Sequence, residues 1–193
     1  MSRKAEVTRE TTETVVRVRL DLDGSGEVAV RTGVPFFDHM LQQIGRHGRF
    51  DLQIDADGDL AVDVHHTVED VGIVLGEAFR QALGSGQGIA RFASLHAAMD
   101  DALVLAALDL GGRPFLHYAL AVKGEVLGTF PVDLAEEFFR AFTSHAAATL
   151  HLVQVHGRNA HHIVEAGFKG AAVALHRATR IIGDGIPSTK GAL

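Results

Sequence analysis

Two short stretches place histidine and carboxylate where they can share one face of a helix. "VDVHHTVED" covers residues 62–70 and "NAHHIVEAGF" covers residues 159–168. Neighbours on a helix point about 100° apart, so His65 and His66 are poorly placed to hold one ion together. Glu69 follows His65 by four residues and His66 by three, within side-chain reach of either. His161, His162 and Glu165 repeat that spacing. An H-H-x-x-E motif can therefore serve two metals, each histidine turned to a different one. Its doubling points to two pseudo-equivalent ions that draw ligands from both halves of the chain. His39 in "FFDHM" and His145 in "FFRAFTSH" lie on corresponding elements and complete a set of six histidines and two glutamates. Four protein ligands per octahedral ion leave positions open for water or substrate. Imidazole and carboxylate suit zinc, iron, nickel or manganese, and the residues alone do not choose among them. One such motif would also suit a solvated helix start; two copies on one framework favour the ions.

The framework that must carry these side chains is itself written twice. Residues 14–21, "TVVRVRLD", alternate apolar and polar and predict a strand. "DGSG" at 23–26 is a turn and "EVAVRT" a second strand, so the pair reads as a hairpin. A helix over 35–48 has proline in its first turn and glycine at its end. A strand, "RFDLQID", and a helix from His66 to Leu83 follow. The second half runs "LVLAALDL", "GGRP", "FLHYALAV", then a helix over 133–150, the strand "HLVQVHG" and a helix from His162 to Ile182. "LDLDGSG" resembles "LDLGGRP", "PFFDHM" resembles "EEFFRAF", "FDLQI" resembles "LHLVQV", and "HHTVED" resembles "HHIVEA", all in the same order. The reading is α+β, with repeats at 1–90 and 91–182 joined near "GSGQG" and a tail at 183–193.

Composition excludes several classes. The 193 residues carry a net charge of −6, which argues against a nucleic-acid partner. There is no cysteine, so disulfides, thiolate metal sites and cysteine nucleophiles are out. The N-terminal "MSRKAEVTRETTET" lacks the apolar core of a secretory signal, and no apolar run is long enough to span a bilayer. A soluble cytoplasmic protein is expected. Twelve histidines are an excess of the commonest metal ligand. For an anionic group such as phosphate, the donors are Arg91, Arg113, Lys169, and Ser188, Thr189 and Lys190 in "PSTKG". That loop lacks the P-loop frame, but its glycines and donors suit a flap that closes.

"FFDHML", "HHTVED", "NAHHIVEAGFK" and "IPSTKG", in this order, resemble the imidazoleglycerol-phosphate dehydratase family. The resemblance runs from about Glu13 to Lys190 and indicates the single-function form. It implies a duplicated α+β unit, each half a four-stranded sheet with helices on one face. It implies a 24-subunit shell built from trimers, with two manganese ions per subunit at subunit interfaces. The ligands would be His39, His65, His66, Glu69, His145, His161, His162 and Glu165. The substrate phosphate would meet Arg91, Arg113, Lys169, Ser188 and Lys190, with Thr189 in the same loop. Glu13, Gln43 and His47 would contact the glycerol and imidazole parts. The implied reaction dehydrates imidazole glycerol phosphate to imidazole acetol phosphate. The proton it removes is not next to a carbonyl, so ring activation by metal is needed, and Glu13, His47 and Glu165 are the acid–base residues to consider. A dimetal hydrolase and a non-enzymatic, metal-assembled shell are the rival readings.

Overall fold

The computed structural model describes residues 3–191. The outermost residues of the first repeat and of the tail, 1–2 and 192–193, lie outside the described residues. In the first half, β1 (Lys4–Glu10), β2 (Thr14–Asp21), β3 (Val28–Arg31) and β4 (Asp51–Gly58) form one sheet in the order β1-β2-β4-β3. Helix α1 (Pro35–Gly48) connects β3 to β4, and α2 (His65–Leu83) follows β4. In the second half, β5 (Phe92–Met99), β6 (Ala102–Asp109), β7 (Phe115–Ala119) and β10 (Thr149–His156) form a sheet in the order β5-β6-β10-β7. A small ribbon of β8 (Val126–Leu127) and β9 (Phe130–Pro131) and helix α3 (Leu134–Ala146) lie between β7 and β10, and α4 (Ala160–Thr179) closes the unit. The same strand order twice is the duplicated α+β unit.

Alternation decides which face of each sheet is covered. Val16, Val18 and Leu20 of β2 point inward and are buried, while Arg17 and Arg19 are exposed. Val104, Ala106 and Leu108 do the same on β6. Helix α2 packs on β1 and β2, α1 on β3, α4 on β5 and β6, and α3 on β7. The helical layers then meet: α1 against α4 and α2 against α3. The result is sheet, helices, helices, sheet, with one continuous apolar core between the sheets.

Four expectations need correction. β2 and β3 do not form a hairpin, because β4 lies between them, antiparallel to β2 and parallel to β3. The reason is a contact distant in sequence: the Asp51 Oδ1 at the start of β4 accepts the N–H groups of Ser25, Gly26 and Glu27 at 2.8, 3.1 and 3.0 Å. The turn therefore wraps around β4 instead of folding back on β2. Strands β1 and β5 are additions to the expected set; as half-exposed edge strands they carry weak apolar patterns. Helix α3 ends at Ala146, well short of 150, because Ala147 turns left-handed at φ 52° and Thr149 starts β10. Helix α4 begins earlier, capped by the Asn159 side chain on the His162 N–H, and stops at Thr179 with Arg180 extended.

The α2–α3 contact depends on two glycines. A Cβ on Gly72 would lie 2.7 Å from the Phe138 carbonyl oxygen, and one on Gly76 2.6 Å from that of Phe142. Helix propensity alone favours alanine over glycine by ~1 kcal/mol. Gly76→Ala should nevertheless destabilise the protein by ~1–3 kcal/mol, the range for overpacking. Urea unfolding measures this, and a raised midpoint would contradict the close approach.

Candidate functional site

The crossing of α1 and α4 joins the two halves at one point. His39 comes from α1, and His161 and Glu165 come from the first turns of α4. His39 Nε2 and His161 Nε2 stand 3.3 and 2.9 Å from the same Glu165 Oε2. All three ligand atoms lie within 4.8 Å of one another, which no other such group does among the described residues. Metal–ligand bonds of ~2.1 Å put neighbouring ligands ~3 Å apart. The spacing and the donor types therefore fit one divalent cation.

Glu165 is the centre of this cluster. Its side chain is 6% exposed, and its other oxygen accepts Lys169 Nζ at 2.6 Å. Burial pushes the carboxyl up, but the Lys169 hydrogen bond and charge, with His161 and His39, outweigh it and hold the group below the usual carboxylate range. The Gln43 amide sits between His39 and His47, with contacts of 3.3 and 3.1 Å. Burial lowers the His47 imidazole below its ordinary range, and the Lys169 charge adds to this.

The first motif is arranged differently. His65 Nε2 is 3.9 Å from Glu69 Oε2, and both side chains are about half exposed. His66 turns its Nδ1 to Asp59, at 3.0 and 3.2 Å, with Glu13 at 3.8 Å. The Asp59 hydrogen bond raises the His66 imidazole above its ordinary range, with Glu13 adding to it. In the second motif His162 Nδ1 meets Asp101 Oδ1 at 2.7 Å, and its Nε2 lies 3.4 Å from Asp100. The rings of each histidine pair lie 6.3 and 6.0 Å apart, at 77° and 78° to each other.

His145 stands apart from these groups. Its Nδ1 lies 2.9 Å from the Ala141 carbonyl of its own helix, and its Cβ faces Gly76. Gly76 is seven residues, or ~10 Å of helix, beyond Glu69. The buried positions of α1 explain this. Phe37, Met40, Leu41, Ile44, Gly45 and Gly48 match Ala135, Phe138, Phe139, Phe142, Thr143 and Ala146 of α3, each 98 residues on. In that register Glu137 takes the place of His39, and His145 the place of His47. Sequence matching sets "PFFDHM" against "EEFFRAF" without this burial frame and so passes over Glu137.

The anion donors divide into two places. Arg91, Phe92, Gly111, Gly112, Arg113, Pro187, Ser188, Thr189 and Lys190 line one open cavity of ≈ 810 Å³. Asp109 binds Arg91 at 2.7 and 3.1 Å and stands 4.0 Å from Arg113, while the Pro187 carbonyl accepts Arg91 Nη1 at 2.8 Å. The tail is strapped to the inter-repeat linker by Gly88 N–H to Gly185 O at 2.8 Å and Gly183 N–H to Gly88 O at 3.2 Å. Lys169 is not in this cavity but on Glu165.

A family model described as imidazoleglycerol-phosphate dehydratase matches residues 32–175. The protein of that name from Azorhizobium caulinodans is 54% identical over 99% of this chain and 98% of its own, and that from Paracoccus denitrificans 53% over 99% and 100%. Among solved structures, the Pyrococcus furiosus enzyme superposes with a TM-score of 0.85 at 37% identity, covering 97% of this chain and 100% of its own. The Staphylococcus aureus enzyme gives 0.82 at 32%, covering 91% and 97%. The fold, the doubled motif and these likenesses agree, and the chain belongs to the imidazoleglycerol-phosphate dehydratase family.

Proposed function

We propose that this chain dehydrates imidazoleglycerol phosphate to imidazole acetol phosphate in histidine biosynthesis. The observation that carries the reading is the convergence of His39, His161 and Glu165 from the two halves, in a chain of this family. Membership of a dehydratase family favours a hydro-lyase over the hydrolase and shell readings. These three side chains would hold one divalent cation. By the repeat correspondence His66 would complete their set, and a second cation would take His65, Glu69 and His162 with one more ligand from α3, so that each histidine pair is split between the two ions; the repeat register favours Glu137 over His145 there. The exposed, unclosed state of His65 and Glu69 supports ligands shared between subunits; the family resemblance is what suggests manganese as the ion and a 24-mer built from trimers as the assembly.

A divalent cation in such a set supplies Lewis acidity toward a substrate ring nitrogen. The remaining work falls to the chain. Arg91, Arg113, Ser188, Thr189 and Lys190 would grip the phosphate in their shared cavity. Lys169 and Gln43 would orient the glycerol and imidazole parts beside the cluster. Dehydration removes a hydroxyl from the carbon beside the ring and a proton from the next carbon, and the enol left behind becomes a ketone. Glu13 is half exposed and 3.8 Å from His66, with no tight partner on its carboxylate. It is the residue assigned to that proton, with His47 its alternative and Glu165 committed to Lys169 and the cation.

Metal binding needs neutral imidazoles and ionised carboxylates. Chelation, or a fall to pH ~5, below the ordinary histidine value of ~6.5, should release metal and shrink the particle, and manganese at neutral pH should restore both. Light scattering with metal analysis reads this, and an unchanged mass after complete metal removal excludes assembly through the cations.

Glu13→Gln keeps size and polarity and removes the charge. Bound metal and assembly should stay near wild type, while turnover falls by roughly 10²–10⁴-fold. Turnover within a few-fold of wild type would clear Glu13 of the role.

Lys190→Ala should weaken binding of substrate and of inorganic phosphate without loss of metal. A desolvated charge-assisted bond is worth ~2–5 kcal/mol, and an exposed one much less. Calorimetric titration tests this, and wild-type affinity would make the tail a bystander.

A further inference from the structure

The two repeats deal differently with the second histidine of each motif. The buried positions Thr14, Val16, Val18 and Leu20 of β2 match Ala102, Val104, Ala106 and Leu108 of β6. Glu13 and Asp101, each just before its strand, are therefore counterparts. Across the sheet Thr14 pairs with Gly58, while in the second repeat Gln154 pairs with Val104 and His156 with Leu103, a bulge that brings Gly157 against Ala102; Gly58 therefore corresponds to Gly157 and Asp59 to Arg158.

Arg158 brings no carboxylate to that position. The second repeat must take its carboxylate from the other counterpart. Asp101 Oδ1 meets His162 Nδ1 at 2.7 Å, while Oδ2 accepts the N–H groups of Arg158 and Asn159 at 2.7 and 3.2 Å. Asp100 occupies the Nε2 side of that ring at 3.4 Å. In the first repeat position 59 is itself an acid. Asp59 takes His66 Nδ1 with both oxygens, and Glu13 stands back with its side chain 52% exposed.

We propose that Asp59 and Asp101 are the positioning residues of the two motifs, each accepting the Nδ1–H of the second histidine, and that Asp59 thereby leaves Glu13 free to face the substrate. A carboxylate on Nδ1–H fixes the proton there and leaves the Nε2 lone pair for a cation. The inference rests on the two-cation reading above. Under it the repeats have diverged in duty, and one chain position holds a histidine in one half and does chemistry in the other.

Asp59 gives the cleaner test, because its side chain makes no backbone contact of the kind that ties Asp101 to the start of α4. Metal-stripped wild type, Asp59→Ala, Asp59→Asn and Asp59→Glu are titrated with Mn²⁺, free ion being read by paramagnetic resonance, and unfolded thermally without metal. Asp59→Ala should weaken one of the two Mn²⁺ sites by roughly 10–100-fold, the usual cost of losing such a partner. Its metal-free melting temperature should stay within roughly 2–4 °C of wild type. Asp59→Asn should recover most of the affinity, since the amide oxygen accepts the same N–H. Asp59→Glu, which displaces the carboxylate, should weaken the same site and serves if the alanine variant does not fold. Wild-type Mn²⁺ affinity in Asp59→Ala or Asp59→Glu overturns the inference, as does a loss matched by a large fall in metal-free melting temperature. A wild type that takes up no Mn²⁺ overturns the cation reading itself, and the inference with it.

Discussion

A carboxylate that is almost fully buried costs several kcal/mol unless opposite charge or strong hydrogen bonds reach it. Glu165 is such a group, and its compensation comes from both ends of the molecule's history: His39 from the first repeat, His161 and Lys169 from the second. The crossing of α1 and α4 is therefore more than apolar packing. It must bring a histidine of one repeat to a glutamate of the other within hydrogen-bond range, and the sheets outside fix that crossing through the strands on which each helix rests.

The duplicated frame and the H-H-x-x-E pairs are legible because they rest on short-range rules. Helical spacing places Glu165 on the face of His161, and alternation places Val16, Val18 and Leu20 on one side of a strand. The strand order is not legible. Nothing in "DGSG" says that Asp51, 25 residues away from Gly26, will capture its N–H groups and draw β4 between β2 and β3. Edge strands such as Lys4–Glu10 escape a sequence reading for a related reason. With few buried side chains they leave little periodic signal.

The site is half legible for the same reasons. His39 can be paired with the second motif only by knowing that α1 crosses α4. His145 and Glu137 can be told apart only by the buried face of α3, since the apolar match "FFDHM" to "FFRAF" slips by residues without it. Asp59 and Asp101 carry no motif. Their importance lies in what stands opposite them, His66 and His162.

The tight α2–α3 seam has a consequence for how the chain comes off the ribosome. Every strand of the first sheet lies within residues 4–58, so that sheet can form while the second repeat is still being made. Helix α2 follows at once, yet the surface of Gly72 and Gly76 is shaped for Leu134–Ala146 and nothing nearer in the chain. Until α3 emerges, the nascent first repeat presents a smooth, small-residue groove with no tenant. A finished copy's α3 cannot fill it, being already seated. The polypeptide thus carries an internal waiting period, and the contact that ends it also locks the halves together.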